Sequence, residues 1–142
     1  MDVKKLKETL VGAGIEVYRT RTSEIHVAER VRYHLMDSGI RVKVAEDLEI
    51  SFTARSQRSD FPEADAADLF TRVRQSIGPG ASERGYTETW SGTTPVRDPV
   101  DGVRVLDVWH EVTWSKAAKD PESAVDEIRW ALGLERYVTT KG

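Results

Sequence analysis

The stretch SEIHVAERVRYHLMDS, residues 23–38, decides the fold, because two periodicities fit it. In a strand, Ile25, Val27, Val31, Tyr33 and Leu35 share one parity and therefore one face. In a helix, Ser23 is an N-cap and Glu24 complements the positive end of the dipole. Ile25, Val27, Ala28, Val31, Leu35 and Met36 then form a broad apolar side. Gly39 followed by Ile40 reads as a left-handed C-terminal cap with an apolar residue packing back on the last turn. Cap signals at both ends, over a span longer than the usual strand, favour a helix here.

The same ending, Gly14 then Ile15, closes a first helix whose apolar positions are Val3, Leu6, Leu10 and Val11. IEVYRTR alternates Ile15 and Val17 against Glu16 and Tyr18, which predicts a strand. Downstream, GIRVKVAEDLEISFTARS predicts a hairpin. A loop at Ala45-Glu46-Asp47 sets Val44 against Leu48 and Lys43 against Glu49. PEADAADLFTRVRQSIG predicts a helix from Pro62 to Gly78, with Ala66, Leu69, Phe70, Val73 and Ile77 as its stripe. YTETWS reads as a strand, residues 91–102 as a polar connection, and VRVLDVWHEVTWSK as the strongest strand. DPESAVDEIRWALG completes the chain as a helix capped by Asp120 and ended by Gly133. The order predicts an α+β fold, a single domain over residues 1–142, with helices packed largely on one face of a mainly antiparallel sheet.

At 142 residues the chain is long enough for a sizeable core. It has no cysteine, which excludes disulfides, thiol chemistry and cysteine-held metals, and fits the cytoplasm. No apolar run reaches signal-peptide or membrane-span length, so no membrane partner is expected. The net charge is −3, with two net positive charges over residues 1–58 and five net negative ones over 59–142. That balance argues against nucleic acid as a main partner.

WHE at 109–111 looks like a catalytic fragment, but strand alternation separates its members. His110 shares a face with Leu106, Val108, Val112 and Trp114, which predicts a core histidine. Trp109 points the other way, between Asp107 and Glu111, and is either covered by a helix or displayed to a partner. An enzymatic alternative places a pocket beside His110 and the 91–102 connection, with Asp98, Asp101 and Asp107 as its acids. Aspartates beside proline and glycine are more often turn formers. His26 and His34 point about 80° apart on a helix and cannot share a metal, and no cofactor motif is present. Arg41 and Lys43, with Arg55 nearby, give the 40–55 hairpin a basic face, the basis for a weak nucleic-acid alternative. On the last helix, Val125, Ile128, Ala131 and Leu132 form the buried side. Trp130 and Leu134, with Tyr137 one turn on, form a second stripe, the kind of surface a partner covers.

The order of elements, the size and the acidity resemble the secretion-chaperone-like fold of type III secretion chaperones. That resemblance implies a small dimeric α+β protein that binds other proteins, with a strand where the cap signals of 23–38 favour a helix. Residue patterns and resemblance together lead to the expectation of a non-catalytic adaptor or chaperone-like module. It would bind a protein partner or form a homodimer, with Trp109, Trp130, Leu134 and Tyr137 as interface candidates.

Overall fold

Residues 23–38 form strands, not a helix. In the computed structural model, which describes residues 2–139, the chain runs α1 Val3–Gly12, β1 Val17–Thr20, β2 Glu24–Val31, β3 His34–Val44 and β4 Leu48–Gln57. A 3₁₀ turn, Arg58–Asp60, leads to α2 Ala66–Glu83, β5 Thr87–Arg97, β6 Val105–Ala118 and α3 Pro121–Leu132. The strands make one six-stranded antiparallel sheet in the order β1-β2-β3-β4-β6-β5, an α+β architecture. The chain divides into two compact units, Met1–Phe52 with Ser115–Leu134, and Thr53–Trp114 with Glu135–Gly142.

In the first unit, the strand reading wins because it buries what the helix would have wasted. Ile25 and Val27 pair with Val42 and Ile40, which in turn face Ile50 and Phe52. All six are fully buried. Each such side chain contributes roughly 1.5–3 kcal/mol. The helical stripe would instead have called on Val31, Leu35 and Met36, which are exposed. The cap signals had other uses. The carbonyl of Ser23 accepts Val44 N at 2.7 Å. Gly39 does adopt a left-handed φ of 79°, but inside a bulge of β3. The hairpin pairs Val44 with Leu48 and Lys43 with Glu49, as its alternation predicts.

Helices α1 and α3 touch each other and the strands of this unit. Asp2 caps α1 by accepting Lys5 N at 2.8 Å, and Leu6 and Leu10 lie fully buried beneath it. Asp120 caps α3 through Ser123 N at 2.8 Å, and Pro121 follows as the first helical residue. Ile128 and Ala131 are the centre of its buried side.

In the second unit, α2 packs by Leu69, Val73, Ile77 and Ala81, and Ser56 Oγ donates to the Leu69 carbonyl at 2.9 Å. Its bounds differ from expectation at both ends. Asp65 caps it through Asp68 N at 2.9 Å, so Pro62 precedes the helix. Gly78 does not stop it, because buried Ala81 carries the apolar stripe another turn and Pro79 is accommodated inside. The helix ends before Gly85, whose φ is 94°. Residues 91–97, expected in a connection, belong to β5. An edge strand open on both faces has no apolar alternation to betray it.

Candidate protein-interaction edge

Strand β5 is the last in the sheet order, so among the described residues no strand neighbours its outer side. The α2 end launches it. Tyr86 is buried and its N–H returns to the Ala81 carbonyl at 2.9 Å. The Arg74 guanidinium then grips Glu88 through two bonds of 2.8 and 2.9 Å. Those bonds hold the Glu88 carboxyl below the usual range. Nine of the eleven residues of β5 are exposed. From Thr89 to Val96 the strand reads TWSGTTPV, with no charge. Trp90 is 50% exposed and lies along its own strand over Gly92. A Cβ at Gly92 would come within 2.5 Å of that ring, so only glycine permits the arrangement.

Side-chain bonds tie β5 to β6 beneath it. Thr94 Oγ1 donates to Glu111 of β6, and Thr89 Oγ1 reaches the Thr113 carbonyl at 3.4 Å. The β5–β6 turn uses its aspartates as backbone acceptors. Asp98 takes Val100 N at 2.7 Å, and Asp101 takes Val103 N at 2.7 Å and Arg104 N at 2.9 Å. The two bonds to Asp101, from Arg104 first, keep its carboxyl below the ordinary value. Both are turn formers in this structure. Asp107 is buried in β6, and burial alone would raise its pKa. Bonds from Ser59 Oγ, Ser59 N, Val108 N and Gln57 overcome that and hold it ionised. It is the anchor that ties the 3₁₀ turn to β6.

His110 is 5% exposed, with its ring edge-to-face on Phe70 of α2 at 5.1 Å. Its Nδ1 is buried without a hydrogen-bond partner. Asp107 and Glu111, at odd positions, alternate away from it along the strand. An open depression of about 610 Å³ lies elsewhere, along Gly14 to Thr20 and α1. Among the described residues, no group of three or more His, Cys, Asp or Glu is placed to hold a metal.

Two of the sequence-derived interface candidates do come together. The guanidinium of Arg55 lies 4.0 Å from the Trp109 ring and 5.0 Å from the Tyr137 ring. Tyr137 donates to Asp60, and its own pKa is pushed up to about 12, first by burial and then by that carboxylate. Arg55 N donates to the Arg136 carbonyl and Val138 N to the Arg55 carbonyl, both at 2.8 Å. The chain's last described segment therefore runs as a short parallel partner beside β4. Trp109 and Tyr137 are half-buried in this stack.

Trp130 and Leu134 are also half-buried. Trp130 packs edge-to-face on Phe52 of its own unit at 5.7 Å. On the hairpin, Arg41 is bound by Asp37 at 3.1 Å and Lys43 faces Glu49, while Arg55 is committed to the rings. His26 is buried, with Nε2 2.5 Å from Glu24. Alternation could not single out β5. The signal that could have found it was the uncharged run from Thr89 to Val96, with a tryptophan beside a glycine. No protein family, curated protein or solved structure matches the chain.

Proposed function

We propose that this protein is a non-catalytic binding module that takes up an extended segment of a partner protein as an added strand on β5. The carrying observation is the exposed, uncharged edge from Thr89 to Val96. Unpaired edges template foreign strands, and proteins normally blunt them with charge, shortness or a cover. Here Pro95 is the one conventional guard within that run. Strand addition draws affinity from main-chain bonds and specificity from alternate side chains, and an exposed tryptophan beside the edge is a typical anchor.

The test begins with peptides selected by display on the immobilised protein. Each is then N-methylated one residue at a time. Strand addition requires every second N-methyl group to cost at least about tenfold in affinity while its neighbours cost little. Amide exchange must slow along β5 on binding. A flat methylation scan, or protection confined to other elements, overturns the reading.

A further inference from the structure

The β2–β3 hairpin extends past its neighbours. β1 pairs with β2 no further than Val27 and Ala28, and β4 pairs with β3 only from Ile40 onward. Residues 29–36 thus form a two-stranded arm that, among the described residues, has no strand on either side. Such a ribbon is marginal alone. Its exit is nevertheless fixed at the Ser38-Gly39 bulge. Buried Ser38 Oγ donates to the Val27 carbonyl at 2.6 Å and accepts Ile40 N at 3.1 Å. Asp37 accepts Gly39 N at 3.0 Å and holds Arg41. The apex residue Arg32 sits at φ 59°, a conformation that costs a non-glycine residue about 1 kcal/mol.

The arm then displays apolar side chains to solvent. Tyr33 is 95% exposed, and Val31, Leu35 and Met36 lie between 41% and 49%. At the arm's base, Arg30 Nε bonds Glu16 at 2.8 Å, and Glu16 lines the open depression beside α1 and β1. Val11, 55% exposed, and Tyr18, 40% exposed, continue the apolar surface there. Lys7 and Arg19 line the same depression. Lys7, Arg19, Arg30 and Arg32 against Glu16 and Glu29 leave this surface net positive in a chain whose total is −3.

We infer that the arm and the depression at its base form a second docking surface, for an acidic polypeptide segment carrying aromatic or aliphatic anchors. Like charge on both arm and depression disfavours the symmetric pairing of this surface with itself in a second copy of the chain. The aliphatic side chains of the tip would be idle on nucleic acid, which is read through phosphates and base edges. An acidic, apolar segment satisfies both the cations and the exposed Tyr33, Leu35 and Met36.

The probes are fluorescein-labelled poly(Glu,Tyr) and poly(Glu) of matched length, followed by anisotropy at low salt with the full chain. Poly(Glu,Tyr) should bind at least about tenfold more tightly than poly(Glu). Tyr33→Ser with Leu35→Ser should remove at least about tenfold of that affinity, with the thermal unfolding curve as the folding control. Arg32→Glu retains a side chain at the strained apex and should weaken both polymers. Ser91→Lys with Thr93→Lys on β5 should leave poly(Glu,Tyr) binding intact, so this surface and the β5 reading fail separately. Equal affinity for the two polymers, an arm variant that binds as wild type, or preference for phosphatidylserine vesicles or duplex DNA overturns the inference.

Discussion

The two edges of the sheet are treated in opposite ways. β1 has four residues, a register shift between Val17 and Arg19, and the cations Arg19 and Arg21 in and beside it. β5 has eleven residues and no charge between Glu88 and Arg97. A third potential edge, the outer half of β4 beyond its pairing with β3, is covered by the chain's own segment at Arg136 to Val138. Shortness, charge and cover are the standard defences against unwanted pairing. All three are in use in this molecule, and among the described residues the stretch of β5 between Glu88 and Arg97 is left with none but Pro95. The contrast teaches that an open edge, in a chain able to close edges, is a feature to be tested for use.

The largest expected effect comes from removing the support under that edge. Asp107→Ala leaves Ser59 N, Ser59 Oγ and Gln57 without their acceptor and should cost about 3 kcal/mol in chemical unfolding. Acid sharpens the same point. The depressed Asp107 carboxyl contributes stability above the unfolded value near 3.8, and that stability is lost as pH falls through the lower folded value. A loss below about 1 kcal/mol on substitution would mean that the anchor is decorative.

Giving β5 the defence that β1 already has comes next. Ser91→Lys with Thr93→Lys should cut affinity for a selected strand peptide by at least about tenfold, while unfolding stays within about 0.5 kcal/mol. Unchanged affinity would erase the functional contrast between the edges. Gly92→Ala should cost about 1 kcal/mol or less and displace Trp90, seen as a shift of tryptophan emission. An unchanged spectrum would show that the ring does not rest on Gly92 in solution.

The covered edge offers a pH test. Tyr137, raised to about 12, favours the folded state below the unfolded value of 10.0, and its contribution is lost as pH climbs from there through about 12. After solvent screening it should amount to less than about 1 kcal/mol, and Tyr137→Phe should abolish the alkaline transition. The smallest effect is at β1, where Thr20→Lys adds charge to an edge already charged. Its unfolding free energy should move by less than about 0.5 kcal/mol.

Much of the fold was legible where local chemistry and burial agree. Asp120 and Gly14 marked helix ends because their capping bonds are formed within a few residues. The 40–52 hairpin was legible because both strands bury alternate residues against one core. Residues 23–38 misled for a physical reason. A left-handed glycine is demanded by a helix end and by a bulge alike, and Gly39 serves the second. The candidate edge was nearly silent, since β5 buries little and its exposed residues follow no period. The Arg55 stack was half visible. Trp109 and Tyr137 stood out as aromatic residues, but the cation joining them lies more than fifty residues from the first and eighty from the second.

The Ser38-Gly39 bulge has a consequence for chain length. Between the pairs Val27↔Ile40 and Ala28↔Asp37, one strand advances by one residue and its partner by three. The surplus is two residues, one full repeat of a strand's up-and-down alternation, so the arm keeps the phase of the sheet it leaves. Losing both residues would straighten the arm without changing which side chains look which way. Losing Gly39 alone would leave a surplus of one residue, putting Leu35 and Met36 of β3 out of step with Arg30 and Glu29 of β2, whose own alternation runs unbroken from Val27. The even surplus at this neck is thus what keeps Leu35 opposite Arg30 and Met36 opposite Glu29 in phase with the core pairs that precede them.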